Sequence, residues 1–194
     1  ANTLYLHTSP EIEMKRLLAQ GSGDIFQICS VYRDNEYGRR NFNEFSMLEY
    51  YRLDFDMHRL MDEVAELINA LSESQPVIKM SYNEAFVRYA GIDILQTDFD
   101  ALKNFAKSHG LSVDFRWIED LQMLLFVHFV EPKLSHYPIC FIYDYPAQQA
   151  ALAQVENQVA HRFELYLGGV EVANGYQELR KAEDYRERFQ LELE

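Results

Sequence analysis

Four glutamates, Glu11, Glu49, Glu171 and Glu178, lie in or beside apolar runs that read as strands. A carboxylate in such a place needs a partner, because burying an unpaired charge is costly. Gathered around a tyrosine such as Tyr51, they could hold an ammonium group, a divalent metal, or both. Residue types alone equally allow solvated faces and structural ion pairs. Arg33, at the end of a strand-like run, carries a guanidinium fork suited to phosphate. Other chemistries find no footing. There is no glycine-rich phosphate loop and no dinucleotide fingerprint, and no Ser/His/Asp or Cys/His order stands out among six scattered histidines. Cys29 and Cys140 sit in the apolar runs IFQICSV and YPICFIY without CxxC spacing. They read as buried free thiols, and no zinc site is expected.

These residues need elements to position them. Leu4 to His7 is a short extended run. Ser9-Pro10-Glu11 reads as a helix start, with Ser9 as cap and Pro10 at the first helical position, and Gly21 and Gly23 end that helix. Strands are expected over Asp24 to Tyr32 and Glu44 to Leu53, joined by a charged loop, Arg33 to Asn43. From Asp56 on, Met57, Leu60, Met61, Val64, Leu67, Ile68 and Leu71 keep the spacing of a core-facing helical stripe. Ser81 and Glu84 form a capping box for a helix ending at Gly91. Further helices are expected from about 98 to 108 and about 115 to 130. Strands return at Ile139 to Tyr145, His161 to Leu167 and Val170 to Gly175, with Gly168-Gly169 as the turn between the last two. A charged helix, Lys181 to Leu193, follows. The sum is an α+β domain, an antiparallel sheet core flanked by helices, with a mostly helical insertion at about 54–135.

The chain of 194 residues is 48% hydrophobic and 14% aromatic, enough for one globular domain with a sizeable core. Its net charge of −13 makes it a poor non-specific partner for nucleic acid, whose affinity rests on cationic contacts. The longest apolar stretch, Leu121 to Val130, is too short to span a bilayer, and no signal pattern opens the chain. A cytoplasmic protein without membrane contact is expected.

Three ordered motifs carry a resemblance. Thr8-Ser9-Pro10-Glu11 with Met14-Lys15-Arg16-Leu17-Leu18 resembles the TSPE…KRLL stretch of class II lysyl-tRNA synthetases. Phe26-Gln27-Ile28-Cys29, Tyr32-Arg33 and Glu44-Phe45-Ser46-Met47-Leu48-Glu49-Tyr50-Tyr51 are similar to motif 2 of that class. Arg162-Phe163-Glu164 and Glu171-Val172-Ala173-Asn174-Gly175-Tyr176-Gln177-Glu178 resemble its ExxNGxxE signature. Asp56 to Met61 and Tyr145 to Ala153 are similar to the stand-alone branch that attaches β-lysine to elongation factor P. The resemblance implies a class II catalytic core over residues 1–194 that uses ATP and Mg²⁺ to turn lysine or β-lysine into an aminoacyl-adenylate. Elongation factor P would be the acceptor, with tRNA disfavoured by the acidic charge, and the chain would self-associate. It implies that Arg33 grips the α-phosphate, that Phe45 stacks on adenine, and that Asn35, Asn41 and Val172 complete the ATP contacts. Ser9, Glu11, Glu49, Tyr51, Asn174 and Glu178 would take the substrate, and Glu171 with Glu178 the Mg²⁺.

The sequence also departs from the family pattern. Arg33-Asp34-Asn35 stands where Arg-x-Glu is usual, and Asn41-Phe42-Asn43-Glu44-Phe45 where His-Asn-Pro-Glu-Phe is common. Motif 1 and motif 3 are expected to be missing. A truncated non-catalytic paralogue that binds nucleotide, lysine or a protein partner is therefore one alternative expectation, and a lysyl-tRNA synthetase core that charges tRNA is the other.

Overall fold

The computed structural model describes residues 4–34, 38 and 41–191. Two compact units are formed, one by residues 1–55 and one by residues 56–194. The first holds helix α1 (Glu11–Ala19) and an antiparallel hairpin of β1 (Ile25–Tyr32) and β2 (Glu44–Tyr51). Ser9 serves the start of α1 differently from the expectation. Pro10 is the residue before the first helical turn, and the Ser9 hydroxyl accepts the Glu11 N–H at 3.0 Å. The hairpin pairs Ile25 with Tyr51 through to Tyr32 with Glu44 without interruption. Alternation along both strands puts Gln27, Cys29, Val31, Phe45, Met47, Glu49 and Tyr51 on one face.

The second unit is built on a five-stranded sheet. Its strands are β3 (Val77–Ser81), β4 (Ile139–Pro146), β5 (Val155–Glu156), β6 (Val159–Leu167) and β7 (Val170–Tyr176). Four of them run β3-β4-β6-β5, and β7 also pairs with β6. Every pairing is antiparallel except β3 with β4. β3 was not foreseen; Val77, Ile78 and Met80 are a short apolar signal next to the capping box that opens the following helix. β4 reads ICFIY because it is covered on both faces, where alternation gives way to a continuous apolar run.

Helix α2 (Met57–Leu71) starts where Asp56 accepts the Arg59 N–H, and covers one sheet face. His58 meets Tyr143 edge-on there, beside the buried pair Phe141 and Phe163. The other face is covered by α3 (Tyr82–Ala90), α4 (Phe99–Ser108), α5 (Ile118–Leu125) and α6 (Glu131–Leu134). The Ser81–Glu84 capping box is present, and Gly91 closes α3 at φ 70°. The helix expected over 115–130 begins only at Ile118. It widens into a π-turn at Phe126–Val130 and passes into α6, which tolerates Pro132 in its first turn. On this face Tyr82 stacks on Phe126 at 5.1 Å and packs on Tyr145 at 4.7 Å. The last helix, α7, is Ala182–Leu191; Leu193 lies outside the described residues.

Two irregularities decide which side chains face which way. Asp144 takes φ 56°, a left-handed conformation that Asp tolerates, and the β4–β6 register shifts between Tyr143 and Tyr145. Tyr145 thereby leaves the α2 side and joins Tyr82 on the opposite one. In β7 the register shifts by one residue at Val172: Ala173 opposes Leu165 and Glu171 opposes Tyr166. Val172 is the extra residue of a β-bulge.

Candidate substrate and nucleotide site

In the first unit the carboxylate of Glu49 is the centre. Its Oε2 accepts the Ser9 hydroxyl and its Oε1 the Tyr51 hydroxyl, both at 2.7 Å. Glu49 and Tyr51 are two residues apart on β2, so the strand itself sets them side by side. Ser9 arrives from the turn before α1, where its oxygen also accepts the Glu11 N–H. Ser9, Glu49 and Tyr51 are thus one connected group, all half-buried. Glu11 belongs to it through its backbone. Its carboxylate takes the Lys15 ammonium at 2.7 Å, one helical turn on. Lys15 has no role in the sequence reading, yet it holds Glu11 in the way an ammonium-bearing ligand would.

Arg33 follows β1, its backbone N–H donating to the Asn43 carbonyl and its Nε to the Thr8 carbonyl at 3.4 Å. Its guanidinium carbon stands 5.3 Å from the centre of the Phe45 ring. A cation over an aromatic face is a favourable pairing, and it sets a phosphate-type donor beside a ring able to stack on a base. Asn41 is exposed, its carbonyl accepting the Gly38 N–H. Asn35 lies outside the described residues.

In the second unit the candidates lie on β7 and just after it. Strict alternation would send Glu171 and Asn174, three residues apart, to opposite faces. The bulge at Val172 absorbs the odd residue, so Glu171, opposite Tyr166, and Asn174, opposite Glu164, share a face. Val172 itself is 49% exposed. Glu178 bridges to Ala153. Its carbonyl accepts the Gln154 side-chain N–H at 2.6 Å and its Oε2 the Tyr185 hydroxyl at 3.0 Å.

The same face carries a carboxylate to which the sequence reading gave no role. Glu164 accepts Arg162 on one oxygen at 2.5 Å and the Tyr166 hydroxyl on the other at 2.6 Å. The pattern Arg162-x-Glu164-x-Tyr166 was the available signal: three polar residues at strand spacing in a buried strand. Burial, and then the Glu164 charge, raise the carboxyl of Glu131, at the start of α6, above its ordinary range.

Among the described residues no three His, Cys, Asp or Glu side chains converge as a metal centre. Glu171 and Glu178 supply hard oxygen donors of the kind Mg²⁺ takes when phosphate and water complete its shell. Their donor chemistry suits that ion. Also among the described residues, no helix is long and apolar enough to cross a membrane.

Comparison with known proteins places these residues in context. The sequence profile of the family "tRNA synthetases class II (D, K and N)" matches residues 1–194. The chain is 45% identical over 195 residues to the elongation factor P (R)-β-lysine ligase of Pectobacterium atrosepticum, covering 97% of this chain and 60% of the relative. The ligase of the same name from Photobacterium profundum is 45% identical over 194 residues, with the same coverage. That of Salmonella typhi is 45% identical over 193 residues, covering 96% of this chain and 59% of the relative. The chain thus spans about 60% of the length of the curated relatives it matches.

Proposed function

The chain belongs to the class II tRNA synthetases of the D, K and N group, and on that premise we propose that it supplies the substrate-activating residues of an ATP-dependent ligase. The substrate is lysine or β-lysine and the acceptor a lysine of elongation factor P, the acceptor named in the similar ligases. The carboxylate of the amino acid attacks the α-phosphate of ATP and pyrophosphate leaves; the acceptor amine then attacks the acyl carbon of the mixed anhydride, forming an amide and releasing AMP and a proton. A cytoplasmic location and self-association go with this reading.

The observation that carries it is the Ser9–Glu49–Tyr51 group. Two hydroxyls fix a half-buried carboxylate and leave it lone pairs for an ammonium. Glu11, now paired with Lys15, takes the amino group nearer the reacting carboxylate by exchanging one ammonium for another. Asn174 and Glu178 complete the recognition of the side-chain ammonium. Arg33 holds the α-phosphate as charge builds on its oxygens, and Phe45 stacks on adenine, with Asn35, Asn41 and the backbone at Val172 as further nucleotide contacts. These residues act by positioning and by charge, not as nucleophiles. Glu171 and Glu178 would hold Mg²⁺, which when bound neutralises phosphate charge. The acidic net charge of −13 favours a protein acceptor over tRNA.

The test is calorimetric titration of the chain with L-lysine and (R)-β-lysine, followed by ATP–pyrophosphate exchange with each. Glu49→Gln is expected to weaken binding of the preferred amino acid about 10- to 100-fold, the range for a lost charged hydrogen bond. Unchanged binding in Glu49→Gln would remove Glu49 from the site. No binding of either amino acid by the unaltered chain would overturn the reading.

A further inference from the structure

Glu178 lies two residues past the end of β7, yet its backbone is paired as a strand residue's would be. Gln154 donates its N–H to the Gln177 carbonyl at 2.8 Å, and Leu179 donates its own to the Leu152 carbonyl at 3.3 Å. Between these contacts Ala153, fully buried, bridges to Glu178. His161 closes the corner: its N–H donates to the Gln154 carbonyl at 2.9 Å and its carbonyl accepts the Gln177 N–H at 2.8 Å. The Gln154 side-chain N–H then donates to the Glu178 carbonyl at 2.6 Å. With the backbone held at these points, side-chain torsions alone decide where the Glu178 carboxylate points. Tyr185 acts on those torsions. From the first turn of α7 its hydroxyl donates to the Glu178 Oε2 at 3.0 Å. Its ring lies 6.4 Å from that of Phe189, one helical turn on, and Glu178 and Tyr185 are both half-buried.

We propose that Tyr185 is a positioning residue: its hydroxyl orients the Glu178 carboxylate, and α7 thereby belongs to the binding machinery. The proposal rests on the reading of Glu178 as a ligand for a cation, ammonium or Mg²⁺, and deepens it by naming what aims that ligand. Every group it needs, Gln154, Glu178 and Tyr185, belongs to the second unit. The chemistry suits the task. A phenol is carried on a rigid ring with few torsions, so it holds its donor in place at small entropic cost. A carboxylate has about four acceptor positions, so one hydroxyl orients it and leaves it able to bind a cation. Carboxylates that bind ions are themselves hydrogen-bonded from behind, and that support is what keeps a site rigid.

Two measurements on the full chain decide it, both with Tyr185→Phe, which keeps the ring beside Phe189 and removes only the donor. The first is ligand-free: side-chain carboxyl carbon NMR of Glu178, with Glu171 as the internal control. Tyr185→Phe is expected to move the Glu178 resonance and leave that of Glu171 in place, with the melting temperature within about 2 °C of the unaltered chain. An unmoved Glu178 resonance would overturn the proposal, whatever the chain binds. A melting temperature lower by more than about 5 °C would mark the hydroxyl as a structural anchor of α7 and overturn it too. The second is calorimetry with L-lysine and (R)-β-lysine. Tyr185→Phe is expected to weaken the preferred ligand about 10-fold, and Glu178→Gln to weaken it at least as much. A residue that acts through Glu178 cannot cost more than the loss of the Glu178 charge itself. Unchanged affinity in Tyr185→Phe, or a loss larger than that of Glu178→Gln, would therefore overturn the proposal. If the unaltered chain binds neither amino acid, the proposed function fails, and the ligand-free resonances alone decide whether Tyr185 orients Glu178.

Discussion

Tyr145 shows how little some buried polar atoms contribute. Its hydroxyl is enclosed beside the Glu164 carboxylate and the Tyr166 hydroxyl without a hydrogen bond of good geometry, while its ring packs on Tyr82 and under Arg162. Tyr145→Phe keeps both ring contacts and deletes a poorly paired atom. It should leave the free energy of urea unfolding within about 0.5 kcal/mol of the unaltered chain, or raise it slightly. A loss above about 2 kcal/mol would show that the hydroxyl is engaged in solution. At this scale the sequence was legible wherever spacing alone put groups together. Glu49 and Tyr51, two apart on one strand, had to share a face. Glu164 was not legible in that way, because its cross-strand neighbour Asn174 comes from the next strand and the Gln149 carbonyl behind Arg162 from a turn earlier in the chain.

At the scale of elements, the β6–β7 hairpin sets the geometry. Gly175 opposes Phe163, and a Cβ built at Gly175 would stand 2.5 Å from the tip of that ring. Phe163 is 1% exposed and packed against Phe141, so it has nowhere to go. Gly175→Ala is expected to cost about 1–3 kcal/mol and to lower the melting temperature by about 2–4 °C for each kcal/mol. Thermal unfolding followed by circular dichroism measures it, and an unshifted transition would mean that the ring can retreat. The strands, the helix capped at Asp56 and the box at Ser81 were readable because each is encoded within a few residues. The parallel strand β3, the π-turn and both register shifts were not, since they arise from what packs across the sheet.

Over the whole molecule, several acids are kept neutral by enclosure. Burial pushes the Cys140 thiol up to about 12 and holds the phenols of Tyr82, Tyr145 and Tyr166 above their ordinary range. In each case the folded chain keeps a proton that the unfolded chain releases once pH passes the free value, about 8.5 for a thiol and 10 for a phenol. The stability they contribute is therefore complete below about pH 8.5. It falls as pH rises through the range up to the folded values, by about 1.4 kcal/mol per pH unit for each group titrating only in the unfolded chain. Urea unfolding between about pH 8 and pH 11 should show this steepening loss. A flat profile would mean that these groups are reached by solvent.

The bulge in β7 has a consequence for descent. Because Val172 stands outside the ladder, loss of that one codon would leave Glu171 opposite Tyr166 and Asn174 opposite Glu164, with every existing pair kept. Loss of the Gly175 codon would instead bring Tyr176 opposite Phe163 and turn an aromatic residue from one face of the sheet to the other. Within a few codons, then, strand pairing constrains length at Gly175 and not at Val172, where any constraint on length comes from the nucleotide contact proposed for its backbone.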